Sequence, residues 1–372
     1  MLYFIHNSYV PNVASTNRLL SYLINIPSSI NVKVIFLLPD SANSVWRNVP
    51  SNIEVFYCWK KYKAPFKLWK YISVRLSLRY IYKLLKTGDV VYCYNVPPFM
   101  NYLRKEGVKL YAERTEHPEV TPLSSRLFRH NLNEHLNLCR HLNGLFVIST
   151  ALREYYINEG VSPQCVHIIN MTVDPMRFKD LEKNNIGKKY IAYCGSALNS
   201  KDGVDKLIQS FAIVHKKHPE VLLYIIGQAP KSISDSNLVL AKTLGVLENI
   251  VFTGQVSASR IPQLLKNASV LALNRPDSLQ ARCGFATKLG EYLLTENIVV
   301  LTDVGDFSLF LKDGISALFS SPLDDKQFAE KLCWALEHPT ESAQIGKNGA
   351  KVAMSHFNAR IEVQKLLSIM GY

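Results

Sequence analysis

The sequence is sparing in cysteine and lacks the cysteine spacings that bind zinc or form disulfide frameworks. Its seven cysteines include no CxxC pair and are scattered along 372 residues. Structural zinc sites and small disulfide-stapled domains need closely spaced cysteines, so both classes are excluded. We therefore expect a protein of the reducing cytoplasm with no metal site.

Long hydrophobic runs are also missing. No apolar stretch reaches the roughly 18 residues that a membrane-spanning helix needs. Residues 1–7 have no basic region ahead of an apolar core, so they are interpreted as a first strand and not as a signal peptide. Any contact with a membrane is expected to be peripheral, on its inner face.

Glycine is absent where a dinucleotide-binding protein would need it. Residues 7–17 follow the first predicted strand and contain no glycine, so the GxGxxG fingerprint is missing. This absence argues against an NAD-dependent enzyme.

Acidic residues are outnumbered, with 30 Asp and Glu against 43 Lys and Arg and a net charge of +13. This balance predicts an acidic partner: a phosphorylated small molecule, an anionic membrane or nucleic acid. Residues 60–86 hold nine Lys and Arg and no acid, interleaved with Trp69, Tyr71 and Tyr80. Such a segment favours an anionic bilayer surface. The plainer interpretation is a core-packed helix with a solvated basic face.

The apolar runs predict two α/β domains, because strand patterns alternate with helix patterns throughout. Residues 179–189 are rich in Lys, Glu, Asn and Gly and are interpreted as a linker. The predicted fold class is α/β, with two doubly wound Rossmann-like domains facing across a cleft, at 1–180 and 186–356. The predicted strands are 2–5, 32–38, 89–94, 109–113, 144–150, 167–170, 190–194, 221–227, 250–254, 270–273 and 298–302.

The stretch 283–294 is the strongest candidate for a ligand site, since a strand, a polar loop and a helix start follow one another there. Gly284 allows close backbone approach, Thr287 is expected to cap the helix, and the first-turn amides would face an anion. Lys288 and Glu291 share one helix face and suit a phosphate and a pair of ribose hydroxyls. The plainer interpretation is a surface helix with an ordinary Lys and Glu pair.

Two further loops follow predicted strand ends, where α/β proteins bind ligands. Lys201 lies in the loop 195–203, and we expect it to reach the same phosphates as Lys288. Two ammonium groups and a helix amino terminus balance a diphosphate without a metal. Glu116 and His117 follow the strand 109–113 and are candidates for contacting a sugar hydroxyl or moving a proton.

These residues resemble the retaining family 4 glycosyltransferases of the two-domain GT-B fold. The resemblance rests on Lys201, Asp202 and Gly203, on residues 252–256, and on residues 284–294. It extends over most of the second domain and more loosely over the first, through residues 147–149 and 173–178.

What the resemblance implies is retaining transfer of a sugar from a nucleotide-diphosphate donor to a glycan or lipid-linked acceptor in cell-surface polysaccharide synthesis. The first domain would hold the acceptor, joined by the last helix, about 357–372, and no cofactor or metal would be needed. Glu291 matches a ribose-binding glutamate, Lys201 and Lys288 match diphosphate-binding positions, and His117 resembles a histidine near the transferred sugar. The expected donor contacts are Gly195, Lys201, Gly254, Val256, Arg282, Gly284, Phe285, Ala286, Thr287, Lys288 and Glu291, and the expected catalytic residues are His117, Glu116, Lys201 and Lys288.

Two positions depart from the family pattern. Cys283 stands where the family has a glutamate, and Ser196 stands where it has an arginine, for which Arg282 is a candidate substitute. The alternatives are a nucleotide-sugar epimerase of the same architecture and a non-catalytic sugar-nucleotide-binding subunit, which the two departures favour. A nucleic-acid binder ranks last, since no recognised motif accompanies the basic segment.

Overall fold

The computed structural model describes residues 1–10, 14–37, 46–58, 67–121, 123, 131–184 and 187–372. The chain divides into two compact units, Met1–Asn170 with Ala359–Tyr372, and Met171–Asn358. Residues 171–178, assigned to the first domain by the sequence analysis, lie in the second unit. The reason is local bonding and packing: the Val173 amide donates to the Phe357 carbonyl at 2.8 Å, and Met171 and Val173 contact Gly290.

The first unit is built on a seven-stranded parallel sheet with strand order β3-β2-β1-β4-β5-β6-β7. Helices on both faces bury the central strands, and the sequences of these strands are therefore continuous apolar runs. The strand missed by the sequence analysis, β3, is an edge strand whose residues are mostly half-exposed. The strands are β1 Leu2–His6, β2 Val32–Phe36, β3 Ile53–Tyr57, β4 Val90–Tyr94, β5 Lys109–Arg114, β6 Gly144–Val147 and β7 Val166–Ile168.

Four helices connect these strands: α1 Ala14–Leu23, α2 Lys67–Leu84, α3 Leu132–Arg140 and α4 Thr150–Asn158. Side-chain caps fix two of the starts. Asn131 forms a capping box with Glu134 at α3, and the Ser149 hydroxyl accepts from the Leu152 amide at α4. Short 3₁₀ turns lie at Pro98–Leu103, Pro163–Cys165, Pro175–Arg177 and Leu247–Asn249.

The second unit contains a six-stranded parallel sheet of order β10-β9-β8-β11-β12-β13. Its strands are β8 Tyr190–Cys194, β9 Leu222–Ile226, β10 Ile250–Gly254, β11 Val270–Leu273, β12 Ile298–Thr302 and β13 Leu318–Ser320. Its helices are α5 Asn199–Asp202, α6 Val204–Lys217, α7 Lys231–Thr243, α8 Ile261–Asn267, α9 Leu279–Cys283, α10 Lys288–Leu294, α11 Phe307–Phe310, α12 Asp325–Glu337 and α13 Pro339–His356.

The last helix, α14 (Ala359–Met370), packs in the core of the first unit. Val363 and Leu366 are fully buried there with residues of β1 and α1. The Glu362 carboxylate accepts from the Asn170 backbone amide at 2.8 Å. This hydrogen bond joins α14 to the end of the segment Met1–Asn170.

Both sheets are doubly wound, which confirms the predicted fold class of two Rossmann-like domains. In each, the chain leaves a central strand in one direction, returns, and continues on the other side. The direction therefore reverses between β1 and β4 in the first unit and between β8 and β11 in the second. The carboxyl edge of the sheet at such a switch point is where open α/β sheets bind ligands.

Candidate functional site

The loops that follow β8 and β11 meet at the switch point of the second unit. The loop after β8 leads into α5, and the segment after β11 leads through α9 into α10. The sequence analysis expected an uninterrupted loop ahead of α10. Instead the short helix α9 interrupts it, and the N-cap residue of α9, Ser278, accepts from the Ala281 amide at 3.2 Å through its hydroxyl.

The centre of this site is the side chain of Lys288, which is only 15% exposed. Its ammonium group lies 2.8 Å from Asp202 Oδ1 and donates to the Tyr193 hydroxyl at 2.9 Å. Tyr193 in turn donates to Asp202 Oδ2 at 2.7 Å. Since Asp202 and Tyr193 are 2% and 0% exposed, the three groups form a closed hydrogen-bonded triangle.

Glycine is required beside this triangle. A Cβ on Gly195 would fall on Lys288 Nζ and on the Tyr193 hydroxyl. Gly203, which ends α5, has φ of 63°, and a Cβ there would collide with the Asn274 carbonyl. The two glycines therefore let the loops after β8 and β11 approach each other.

The site holds a surplus of positive charge. Lys201 immediately precedes Asp202 and is half-buried, and its carbonyl accepts from Arg275 Nε at 3.3 Å. Arg275 is 1% exposed. Lys288 and Arg275 are thus two cations beside the Asp202 carboxylate, and Lys201 adds a positive charge to the loop after β8. Such an excess suits a ligand with two or more negative charges.

The pKa values of the central pair reflect burial and mutual attraction. Burial lowers the pKa of Lys288, and the neighbouring Asp202 carboxylate opposes that effect. Burial alone would raise the pKa of Asp202, but Lys288, the Tyr193 hydroxyl and Arg275 outweigh it and lower that pKa. Asp202 is therefore ionised and acts as the counter-ion of Lys288.

Glu291 lies on α10 one turn after Lys288 and has its own partner. Its carboxylate forms an ion pair with Arg177, whose guanidinium also donates to the Ala258 carbonyl at 3.3 Å. Burial raises the pKa of Glu291, and Arg177 works against that shift. The sequence analysis did not identify Arg177 as a partner of Glu291.

The glycine turns after β9 and β10 join the same edge of the sheet. The Gly227 amide donates to the Gly254 carbonyl at 3.2 Å, and a Cβ on Gly227 would strike the Gly195 carbonyl. Gly254, a predicted donor contact, therefore lies close to the loop after β8. Val256, two residues further on, is half-buried.

Some predicted donor contacts have other roles in the structure. Arg282, the candidate substitute for the missing arginine, is exposed and forms a 2.7 Å ion pair with Asp277. Phe285 packs against the rings of Phe307 and Phe357. Thr287 makes no capping hydrogen bond, because its backbone is already helical with φ of −58° and ψ of −26°. Gly284 has an extended backbone, with φ of −96° and ψ of 178°, and both it and Ala286 are buried.

In the first unit, His117 is buried and Glu116 is half-buried after β5. His117 Nδ1 accepts from the Glu119 amide at 3.3 Å, which leaves the proton on Nε2. Burial lowers the pKa of His117 and so favours the neutral ring. The backbone carbonyl of Glu116 accepts from Arg114 Nε at 2.8 Å.

Three polar side chains missed by the sequence analysis end the central strands of the first unit. His6 ends β1 and donates from Nδ1 to the Ser8 carbonyl at 2.9 Å, so Nε2 is an acceptor. The hydroxyls of Tyr94, at the end of β4, and Thr115, just after β5, lie 2.9 Å apart. All three residues lie at or just after the ends of buried strands, and this position could have identified them as candidate site residues.

Two kinds of feature are absent from the part of the chain that the structure describes. There, no helix combines the length and apolar character that crossing a bilayer requires. The same residues form no group of three or more His, Cys, Asp or Glu suited to holding a metal ion.

Comparison with known proteins gives a family match and a fold match. Residues 176–352 match the family model of glycosyl transferases group 1. Mannosylfructose-phosphate synthase of Agrobacterium fabrum is 21% identical over 225 residues, or 57% of this chain and 48% of that protein. The matched region spans about half the length of that relative.

Two solved structures illustrate the fold match. Anabaena HepE in complex with UDP has a TM-score of 0.72 and 16% identity, over 99% of this chain and 98% of that chain. Sucrose-phosphate synthase from Thermosynechococcus elongatus has a TM-score of 0.75 and 12% identity, with coverage of 99% and 98%. At such identities the likeness concerns the fold.

Proposed function

We propose that this chain, whose residues 176–352 match the family model of glycosyl transferases group 1, moves a sugar from a nucleoside-diphosphate donor to a glycan or lipid-linked acceptor with retention at the anomeric carbon. The product would enter cell-surface polysaccharide synthesis. The observation that carries the proposal is the buried ammonium of Lys288, which shares the Asp202 carboxylate with Arg275 at the switch point of the second unit. The UDP bound to HepE supports a nucleoside diphosphate as a ligand of this fold.

In this mechanism Lys288 and Lys201 stabilise the charge that develops on the leaving diphosphate. The bond from the anomeric carbon to the phosphate oxygen breaks, and the acceptor oxygen attacks from the same face. The leaving diphosphate oxygen takes the acceptor's proton, so no side chain need become a covalent nucleophile. Fixed cations in a site shielded from water act mainly by electrostatic stabilisation of the transition state.

Glu291 is the proposed acceptor for ribose hydroxyls. A carboxylate offers lone pairs on both oxygens. Glu291 holds Arg177 with Oε1, and we assign Oε2 to the ribose. Gly254 and Val256 are assigned to the base, and His117, with its proton on Nε2, to a hydroxyl of the transferred sugar.

Ligand binding and turnover together test the proposal. We expect one of UDP, GDP or ADP to raise the melting temperature, because a ligand at about 100 times its Kd adds about 2.7 kcal/mol to the folded state. The matching sugar nucleotide should then be consumed faster when an acceptor glycan is added. If none of the three diphosphates moves the melting temperature, the donor site assigned here is wrong.

The proposed peripheral membrane contact is assigned to α2. Along its described side chains, Val74, Leu78 and Ile81 are buried. The opposite face exposes basic groups together with large apolar ones, namely Arg75, Leu76, Arg79, Tyr80, Tyr82 and Lys83. Such segregation suits the surface of an anionic bilayer. The predicted segment 60–86 begins outside the described residues, since 59–66 are not among them.

A flotation assay with anionic and with neutral liposomes tests this contact. The protein should float with the anionic vesicles at low salt and be released as the salt concentration rises. If it stays at the bottom of the gradient with both vesicle types, the lipid claim is lost while the transferase claim stands. A cytoplasmic location, which we also propose, agrees with the finding that none of the seven cysteines forms a disulfide.

A non-catalytic sugar-nucleotide-binding subunit is the second candidate. The observation that favours it is the pair of departures at Cys283, which is buried, and Ser196, which is exposed. Such a subunit would bind the nucleoside diphosphate but release none from any sugar nucleotide. Measuring diphosphate release with and without acceptor therefore separates the two candidates.

A further inference from the structure

We propose that Asp202 and Tyr193 are positioning residues for Lys288, holding its ammonium group in place and charged while the phosphate site is empty. This inference rests on the proposed function, because it assumes that Lys288 meets a phosphate. It adds two residues that neither the sequence pattern nor the family match assigns.

The first step of the argument is the cost of burying a charge. An ammonium group that is 15% exposed and unpaired would lose much of its hydration and would tend to release its proton. A deprotonated lysine would have to regain that proton before it could hold a phosphate. A nearby carboxylate removes this obstacle, and Asp202 Oδ1 lies 2.8 Å from Nζ.

The second step concerns geometry. The Tyr193 hydroxyl accepts from Lys288 at 2.9 Å and from the Ala197 amide at 3.2 Å, and it donates to Asp202 at 2.7 Å. One donor and two acceptor sites exhaust the capacity of a hydroxyl, so its orientation is fixed. The ammonium also lies 4.5 Å from the centre of the Tyr193 ring, a cation–π distance.

The groups that face Lys288 come from several elements. Asp202 lies on α5, Tyr193 and Cys194 lie on β8, and Arg275 follows β11. Glu291 is on the same helix as Lys288 but is engaged by Arg177. Among these groups Asp202 is the carboxylate in contact with Lys288, so its removal should act on the charge of the lysine directly.

The test compares wild type with Asp202→Asn and measures how Lys288 titrates. Competitive labelling with acetic anhydride across a pH series, read by mass spectrometry, reports the midpoint for each lysine without any ligand. We expect the Lys288 midpoint to fall by about one pH unit or more in Asp202→Asn, since one close opposite charge shifts a pKa by about 1 to 3 units. Asp202→Glu should restore most of the shift.

The matched control is the exposed pair of Lys331 and Asp313, 3.1 Å apart in the same unit. Asp313→Asn should leave the Lys331 midpoint nearly unchanged, because solvent screens exposed ion pairs. If Asp202→Asn does not fold, Tyr193→Phe serves in its place. It removes one hydrogen bond that favours the charged amine and should lower the midpoint by a smaller amount.

Calorimetric measurement of UDP affinity tests whether the charge of Lys288, which Asp202 and Tyr193 maintain, acts on a bound phosphate. Affinity should fall as pH rises through the Lys288 midpoint, and this fall should begin at lower pH in Asp202→Asn. Below both midpoints the variant should bind at least as tightly as wild type, because one negative charge is gone.

An identical Lys288 midpoint in wild type and Asp202→Asn would overturn the inference. Failure of wild type to bind UDP, GDP and ADP would instead count against the proposed function, while the labelling result would still decide the role of Asp202.

Discussion

The two sheets follow the same strand order over six strands, but their carboxyl edges carry different charges. At the β8 and β11 switch point of the second unit, charged side chains reach the edge, with Lys288 and Asp202 in contact. At the β1 and β4 switch point of the first unit, the strands end in the neutral groups of His6 and Tyr94. The same topology thus presents different side-chain chemistry at its two edges, and under the proposed function the side chains, not the fold, select the ligand.

The first unit does contain a charged pair, but it is buried in the core. Arg18 donates to the Glu113 carboxylate at 2.8 Å, and Tyr22 and Tyr92 donate to the same carboxylate at 2.9 and 2.5 Å. Arg18 also donates to the Ile169 carbonyl at 3.0 Å. With Glu113 fully buried, these charges tie α1, β4 and β5 together and are removed from any ligand. We therefore expect the buried charges of the first unit to act on stability, whereas the proposed function gives those of the second unit a role in binding.

Glu113→Gln should give the largest effect and should be confined to stability. Removing one partner of a buried ion pair leaves the other charge uncompensated and costs about 3 to 5 kcal/mol. Hydrogen exchange read by mass spectrometry should show faster exchange in peptides of β4 and β5 than in peptides of β12. The control is Glu54→Gln, which breaks an exposed pair with Lys33 and should cost less than about 1 kcal/mol. Equal loss of protection in both units would contradict the division of roles.

Lys288→Ala should reduce turnover by at least about 10² to 10³-fold, the usual cost of losing one preorganised group that stabilises developing negative charge. Initial rates with the sugar nucleotide identified in the binding screen provide the measurement. Lys331→Ala, at the exposed pair of the same unit, should keep the wild-type rate. A Lys288→Ala protein that turns over at nearly the wild-type rate would end the assignment of the second unit's edge to the diphosphate.

Arg79→Gln should weaken binding to anionic liposomes by about 1 kcal/mol, or about fivefold, because each basic side chain near such a surface contributes about that much. Partition coefficients from flotation at low salt measure the change, with Lys331→Gln as the control. An unchanged coefficient would remove Arg79 from the membrane-facing surface. This prediction extends the comparison to the outer face of the first unit.

Adding a metal chelator should have the smallest effect and leave the transfer rate unchanged. In the proposed reaction Lys201 and Lys288 balance the charge of the diphosphate, so no divalent ion is required. The measurement is the initial rate in chelator, with and without added Mg²⁺. A loss of activity that Mg²⁺ restores would show that the reaction needs a divalent ion at the carboxyl edge of the second unit's sheet.

Sequence analysis located the strands and the cations more readily than their partners. Buried parallel strands such as β1 and β8 appear in the sequence as apolar runs, and Lys201 and Lys288 were predicted as site residues because they follow strand ends. The edge strand β3 was missed because its residues are half-exposed. Tyr193 lies in an apolar strand, so the sequence predicts only a core residue there. Asp202 becomes the counter-ion of Lys288 only because the fold brings the two residues together. Partners that are distant along the chain leave no local pattern in the sequence.

The position of α14 has a consequence for synthesis on the ribosome. Val363, Leu366 and Met370 complete a core whose other members include Leu2 and Phe4. The first unit therefore cannot close its core until Ala359–Met370 have emerged, although its strands are made first. The second unit has every one of its residues by Asn358 and is free to mature earlier. The customary amino-to-carboxyl order of domain maturation therefore does not apply to the first unit, and a chain that ends at residue 358 should contain a native second unit beside an unfinished first.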